Sequence, residues 1–230
     1  KMYELTASDE VRRTANEAAG SFFNYVTELI AQKRRRPDGL LISELVNVQV
    51  DGERLSDHEV ACTAMVLLEA GHEATVNTIG NGTLALLEHR AQWDRVTATE
   101  VPPAVAVEEL LRWDAPLQLF ARWVLEPGLE IADQSVQVGD QIALLFGSAL
   151  RDPRRFVEPD RFDVARGEQS NLGFGGGIHF CVGAALARAE LAVAVGHLAS
   201  RFPLLGVLGI VEPHRTFVLR GLTALTVTVD

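Results

Sequence analysis

From Ser21 to Arg36 the apolar residues Phe22, Phe23, Val26, Leu29 and Ile30 recur at the spacing of one helix face. The run closes on Lys33-Arg34-Arg35-Arg36, cations placed where a helix dipole favours them, and Pro37-Asp38-Gly39 stops it. A short helix is predicted over about Leu40 to Val48, followed by a turn at Asp51-Gly52. Ser56-Asp57-His58-Glu59 has the form of a capping box at the head of a long apolar run, and helical character continues from Asp57 to about His89. Gly71, Gly80 and Gly82 interrupt that run. Each interior glycine costs about 1 kcal/mol relative to alanine, so this helix needs packing around it and is expected to cross the centre of the domain. Pro102-Pro103 opens a further helix that reaches about Trp113 and ends at Asp114-Ala115-Pro116.

Over residues 117–146 the period changes. Leu117, Leu119, Ala121, Trp123 and Leu125 alternate with other residues, with turn signals at Pro127-Gly128 and Gly139-Asp140. Ser148 to Gly177 is rich in Arg, Pro, Asp and Gly and is predicted to be irregular; a loop of that length is usually functional. An Ala-rich helix is expected over Val182–Ser200, and short strands from Leu204 to Asp230. There is no internal repeat. The pattern describes an α+β protein, mainly α.

Composition narrows the function. The 230 residues suit one large domain or two small ones, and 47% hydrophobic with 23% charged residues excludes a disordered chain. A net charge of −10 argues against gripping nucleic acid by phosphate neutralisation. The longest apolar stretches are too short for a membrane span, and Lys1-Met2-Tyr3-Glu4 opens no secretory signal, so a soluble, cytoplasmic body is expected. The two cysteines, Cys62 and Cys181, form no C-x-x-C pattern, which speaks against a cysteine zinc site and for two thiols in a reducing compartment. Cys62 lies in the apolar part of the long helix and is expected to be a buried packing residue. His58, His72, His89, His197 and His214 show no metal-ligand spacing, and His72, with Val76 four residues on, is not expected to ligate.

The densest chemical signal is Phe174-Gly175-Gly176-Gly177-Ile178-His179-Phe180-Cys181-Val182-Gly183, just before a helix. Glycines let a backbone curl so that several N–H groups converge, and a helix N-terminus favours a thiolate at Cys181. The string resembles the haem-binding loop of the cytochrome P-450 monooxygenases, F-G-x-G-x-H-x-C-x-G, at every specified position. The resemblance implies the C-terminal portion of the P-450 fold, with a long central helix, small β-sheets and haem b (iron protoporphyrin IX) as cofactor. Cys181 would be the metal ligand on the haem iron, pushing electron density that favours O–O cleavage. His179 would bond a haem propionate, and Phe174 would shield the sulfur.

Glu109 and Arg112 lie three apart on one helix face, a pairing common on solvated surfaces. The family, however, carries an E-x-x-R pair tied to an arginine in the loop before the cysteine. Arg161, in Pro159-Asp160-Arg161-Phe162, is expected to complete this buried network. Arg122, opposite in strand alternation to Leu119, Ala121 and Trp123, matches a family arginine that binds a haem propionate.

In the long helix, Ala70-Gly71-His72-Glu73-Ala74-Thr75 resembles the oxygen-binding segment A-G-x-[DE]-T. Ala70 and Gly71 would admit the macrocycle closely, and Glu73 would be the catalytic residue of proton delivery. Ala74 stands where the family has threonine; Thr75 is one helical step, about 100°, away. A substrate hydroxyl or ordered water replacing that threonine, use of peroxide, or no oxygen chemistry are the three readings left, the first being favoured. Leu150 stands where the family usually has asparagine, which predicts a less well satisfied turn.

The resemblance covers about residues 20–230, and residues 1–230 are read as one partial domain, with the oxygen-binding helix at about 57–89, the E-x-x-R helix at about 102–113 and the haem-thiolate loop at 174–183. It reaches only the C-terminal half of the family's catalytic domain. The implied function is insertion of one oxygen atom from O2 into a small organic substrate, with electrons from a ferredoxin or flavin-containing donor. The alternative is a truncated, non-catalytic haem-binding or interaction protein. Residues 148–201 hold seven Arg and six Asp or Glu, a charge of +1, leaving −11 elsewhere, so the cysteine-bearing face is expected to be the least acidic and open to steered docking. Self-association through uncovered apolar surface is also expected.

Overall fold

The computed structural model describes residues 8–50, 52–167, 172–214 and 216–229; the opening Lys1–Glu4 and Asp51 of the predicted turn lie outside them. The chain divides into two compact units, one reaching Glu73 and the other starting at Ala74.

In the first unit, α1 spans Asp9–Arg35 and α2 Leu41–Asn47. α1 begins well before the predicted Ser21, capped by Ser8, whose Oγ accepts the Val11 N–H at 3.3 Å. Its first turns are alanine-rich and polar, good helix formers that carry no apolar stripe to mark them in the sequence. Val26 and Ile30 of α1 pack with Val46, Val60 and Ala61. A small hairpin, β1 (Gln49–Val50) with β2 (Glu53–Arg54), leads to α3, Asp57–Glu88. The capping box is formed: Glu59 N–H donates to Ser56 Oγ at 3.3 Å, and Ser56 N–H donates to Glu59 Oε2 at 2.8 Å. The Ser56 N–H and hydroxyl hold the Glu59 carboxyl below its ordinary range.

The second unit holds the rest of α3, then α4 (Arg90–Thr97), α5 (Pro103–Trp113) and, after the loop region, α7 (Ala184–Arg201). α4 was not legible in the polar run Arg90–Thr97, yet its Trp93 and Val96 are buried. Leu86, Trp93, Val107, Leu110, Leu191 and Val195 form the centre of this core. Gly82 gives α3 its close approach to α5: a Cβ there would stand 2.8 Å from Leu110 Cδ1. The helix-propensity cost of that glycine is offset by packing that no larger residue could make without displacing Leu110.

After α5, β3 (Leu119–Trp123) pairs antiparallel with β6 (Gln141–Leu145), in a register that sets Arg122 opposite Ile142. Between them β4 (Glu130–Ile131) and β5 (Gln134–Ser135) form a hairpin, and α6 (Phe146–Ala149) follows β6. The C-terminal residues form β7 (Gly206–Val207), β8 (Glu212–Pro213), β9 (Leu222–Ala224) and β10 (Val227–Thr228), the short strands expected there. The 216–221 turn is joined to the exit of α5, with Gln118 N–H donating to Val218 O at 2.9 Å and Arg220 N–H to Pro116 O at 2.7 Å. No helix among the described residues is long and apolar enough to cross a membrane.

Candidate functional site

The cysteine loop is built from two single 3-10 turns, Leu172–Phe174 and Gly177–His179. Gly175 and Gly177 have φ of +71° and +62°, a left-handed backbone that a side chain would strain. These reversals bring Cys181 N–H to Phe174 O at 3.0 Å, closing the loop on itself. Cys181 lies just ahead of α7 rather than in its first turn, and its own carbonyl accepts the Ala184 N–H that opens the helix.

The Cys181 side chain is exposed, and so is that of His179. The apolar side chains beside the thiol are uncovered too: Ile178 is 97% exposed, Val182 88%, and Phe180 about half. A soft sulfur donor set among uncovered apolar side chains has the chemistry that a flat, apolar, iron-bearing group requires. Phe174 is half-buried, with the Arg188 guanidinium 4.5 Å from its ring centroid. Arg122 on β3 is half-buried, donates from Nη1 to Ala121 O at 2.9 Å and lies 4.6 Å over the Phe120 ring. The alternation held Trp123 to be on an apolar face with Leu119 and Ala121, but Trp123 is exposed. β3 has only β6 beside it among the described strands, so this pair buries neither face completely.

Behind the loop lies a buried ion network. Arg112 grips Glu109 with two bonds, Nε to Oε2 at 2.7 Å and Nη2 to Oε1 at 2.8 Å, and both side chains are almost fully buried. The remaining Arg112 donors reach Leu150 O, Pro159 O and Arg161 O. The arginine that completes the network is Arg166, not Arg161: Arg166 Nε is 3.1 Å from Glu109 Oε2, and its other nitrogens bond the Val157, Glu158 and Arg161 carbonyls. Arg161 contributes only its backbone oxygen; its side chain is 59% exposed and pairs with Glu158 and Asp163. Asp163 N–H donates to Glu109 Oε1 at 2.9 Å. Although partial burial pushes the Asp163 carboxyl up, the Ala165 N–H and Arg95 hold it below its ordinary range.

Leu150 corrects another expectation. Its side chain is buried with Ala115 and Phe156 and its carbonyl is bonded by Arg112, so leucine satisfies this turn by apolar packing. Cys62 is likewise not a packing residue: it is exposed, with Sγ 3.6 Å from His58 Nδ1.

Ala70, Gly71 and Glu73 lie on α3 in the first unit, and all three are exposed. A Cβ on Gly71 would meet nothing within 4 Å. Ala74 O accepts the Thr78 hydroxyl at 2.8 Å, so that hydroxyl, one helical turn further on, is spent on the backbone. The second unit also carries a cleft of about 550 Å3 between Asn81 and Glu88 of α3, Asp114, Gln118 and the residues Pro213, His214, Phe217 and Leu222. Burial pushes the Asp114 carboxyl there above its ordinary value, against the pull of Arg220 and Arg151. Arg220 Nη1 is 3.3 Å from Asp114 Oδ1, but among the described residues no donor is aligned on that oxygen.

A family profile for cytochrome P450 matches residues 104–210, which span the E-x-x-R helix, the Arg166 loop and the cysteine loop. The polyketide biosynthesis cytochrome P450 PksS of Bacillus subtilis is 38% identical over 230 residues, covering 98% of this chain. The chain belongs to the cytochrome P450 family. The 6-deoxyerythronolide B hydroxylase of Saccharopolyspora erythraea, another P450-type relative, is 39% identical over 98% of the chain. Among solved structures, PksS superposes with a TM-score of 0.92 at 36% identity, covering 98% of this chain and 59% of that one. P450BioI, solved with an acyl carrier protein bearing hexadec-9Z-enoic acid, also gives 0.92 at 36%, covering 99% and 58%. The mainly α P450 fold is therefore established, and cytochromes P450 bind haem b. The chain spans 56% and 57% of the length of the two relatives compared by sequence.

Proposed function

We propose that this chain carries the haem-ligating part of a haem-thiolate monooxygenase, an oxidoreductase acting on a small organic substrate. The observation that supports it is the exposed Cys181 thiol, framed by uncovered Ile178, Phe180 and Val182 on a loop whose Cys181 N–H is bonded to Phe174 O. In this reading Cys181 would hold the iron as thiolate, and a bound haem would supply the chemistry of dioxygen activation. Cys181 keeps its N–H bonded within the loop, and, as the family resemblance implies, Phe174 would shield the sulfur once haem is held. Arg122 and His179 would hold the propionates, Arg122 as a guanidinium suited to a carboxylate. By resemblance to the family motif, Ala70 and Gly71 would leave room for the macrocycle and Glu73 would deliver protons. With Ala74 carrying no hydroxyl, a hydroxyl of the substrate or an ordered water takes the threonine's place.

Electrons come from a ferredoxin or a flavin-containing donor, docking on the near-neutral 148–201 face of an otherwise acidic chain. The uncovered apolar side chains also favour self-association of this chain. The test is the absorption spectrum of the reduced, carbon-monoxide-bound chain loaded with haem. A haem-thiolate band that disappears in Cys181→Ser supports the assignment; no haem uptake, or a band unchanged in Cys181→Ser, rejects it.

A further inference from the structure

Neighbouring carboxylates on α5 face two different clamps. Glu109 serves the Arg112–Arg166 network. Glu108 is also buried, at 3% side-chain exposure, and reaches α7, where Arg188 Nε lies 2.5 Å from its Oε1 and Nη2 lies 3.4 Å from Oε2. The same guanidinium stands 4.5 Å from the Phe174 ring centroid, well inside the range of a cation–π contact. Phe174 in turn supplies the carbonyl that accepts the Cys181 N–H. Glu108, Arg188, Phe174 and Cys181 thus form one chain of contacts running from α5 through α7 to the thiol-bearing residue.

We propose that Arg188 is a positioning residue for Cys181: held in plane by Glu108, it pins the Phe174 ring and so orders the Phe174–Cys181 hydrogen bond. Only arginine meets both demands, because its planar, forked cation pairs with a carboxylate while stacking on a ring, whereas lysine offers a point charge. The ordering of the loop is a property of the protein alone. Its consequence for a thiolate ligand rests on the function proposed above.

The test is amide hydrogen exchange at Cys181, read in the 230-residue chain and in Arg188→Gln, Phe174→Leu and the double variant. Opening of a local hydrogen bond is read directly by this rate, so a lost cation–π contact should raise it roughly two- to thirtyfold in Arg188→Gln. The double variant should exchange no faster than Phe174→Leu, since the arginine acts through the ring. Arg188→Lys should fall between parent and Arg188→Gln. Glu108→Gln should shift the rate in the same direction.

A general loss of stability would instead raise exchange across α5 and α7 together, and that outcome would overturn the proposal. So would a parental rate in Arg188→Gln, or effects of the two single substitutions that multiply in the double. A second readout uses the chain loaded with haem. If the parent gives a haem-thiolate band, Arg188→Gln should lose it faster at constant helicity, and an unchanged decay again overturns the proposal. If the parent gives no such band, the monooxygenase reading fails, and the exchange experiment still decides the role of Arg188.

Discussion

Arg166 Nε stands 3.1 Å from Glu109 Oε2, on the same carboxylate that Arg112 grips from within α5. One carboxylate therefore balances two guanidiniums, and the loop between α6 and the cysteine is tied to α5 through them. Replacing Arg166 by Gln leaves Glu109 paired with Arg112 but removes a charge-assisted bond to a buried carboxylate, and should cost about 1.5–3 kcal/mol. Arg161→Gln touches an exposed side chain and leaves the bonded backbone carbonyl in place, so it should change stability by no more than about 0.5 kcal/mol. Urea denaturation of the two variants separates them; equal losses would return Arg161 to the network.

Leu150 is almost wholly buried against Ala115 and Phe156, and its carbonyl accepts a bond from the Arg112 guanidinium. Truncation to alanine opens a cavity at the point where the network meets the apolar cluster. Leu150→Ala should destabilise by about 2–5 kcal/mol, measured by the same denaturation. A loss below 1 kcal/mol would mean that the leucine is not part of the core (Leu→Ala in a packed site rarely costs so little).

Asp114 sets a pH dependence. Burial raises its carboxyl above the ordinary 3.8, so the native state binds this proton more tightly than the unfolded chain does. Its contribution is complete below pH 3.8 and is lost as pH rises through the raised native value. Asp114→Asn removes that loss, so its melting temperature relative to the parent should climb as pH increases from 3.8 and then level off. A difference that falls with pH would show that Arg220 outweighs burial.

Ala74→Thr puts a side-chain hydroxyl at the position where the family carries threonine; the backbone carbonyl of residue 74 is a separate group that accepts the Thr78 hydroxyl. If a substrate hydroxyl normally serves there, the substitution should raise product formed per oxygen consumed with substrates lacking that hydroxyl. With hydroxyl-bearing substrates it should alter the ratio little. Identical coupling across both substrate sets would end the substrate-assistance reading.

The cysteine loop and the E-x-x-R helix were legible because their chemistry is local. Gly175, Gly177 and Cys181 act within ten residues, and Glu109 and Arg112 are one helical turn apart. Arg166 was not legible. It meets Glu109 across 57 residues of chain, and Arg161, five residues earlier, is equally plausible by spacing. α4 was missed because its polar surface hides two buried residues, and α1 was read short because alanine carries propensity without periodicity.

The sequence by itself determined the α+β class, the long α3 with its capping box, and the motif that places Cys181 in the cytochrome P450 family. Those are properties of residues near one another in the chain, where propensity, capping and glycine conformation act. Only the tertiary structure decided which arginine neutralises Glu109, why leucine suits position 150, and how Glu108 reaches Phe174 through Arg188. Each of those depends on burial, which makes an unmatched charge costly and selects, among several arginines, the one whose geometry closes the network.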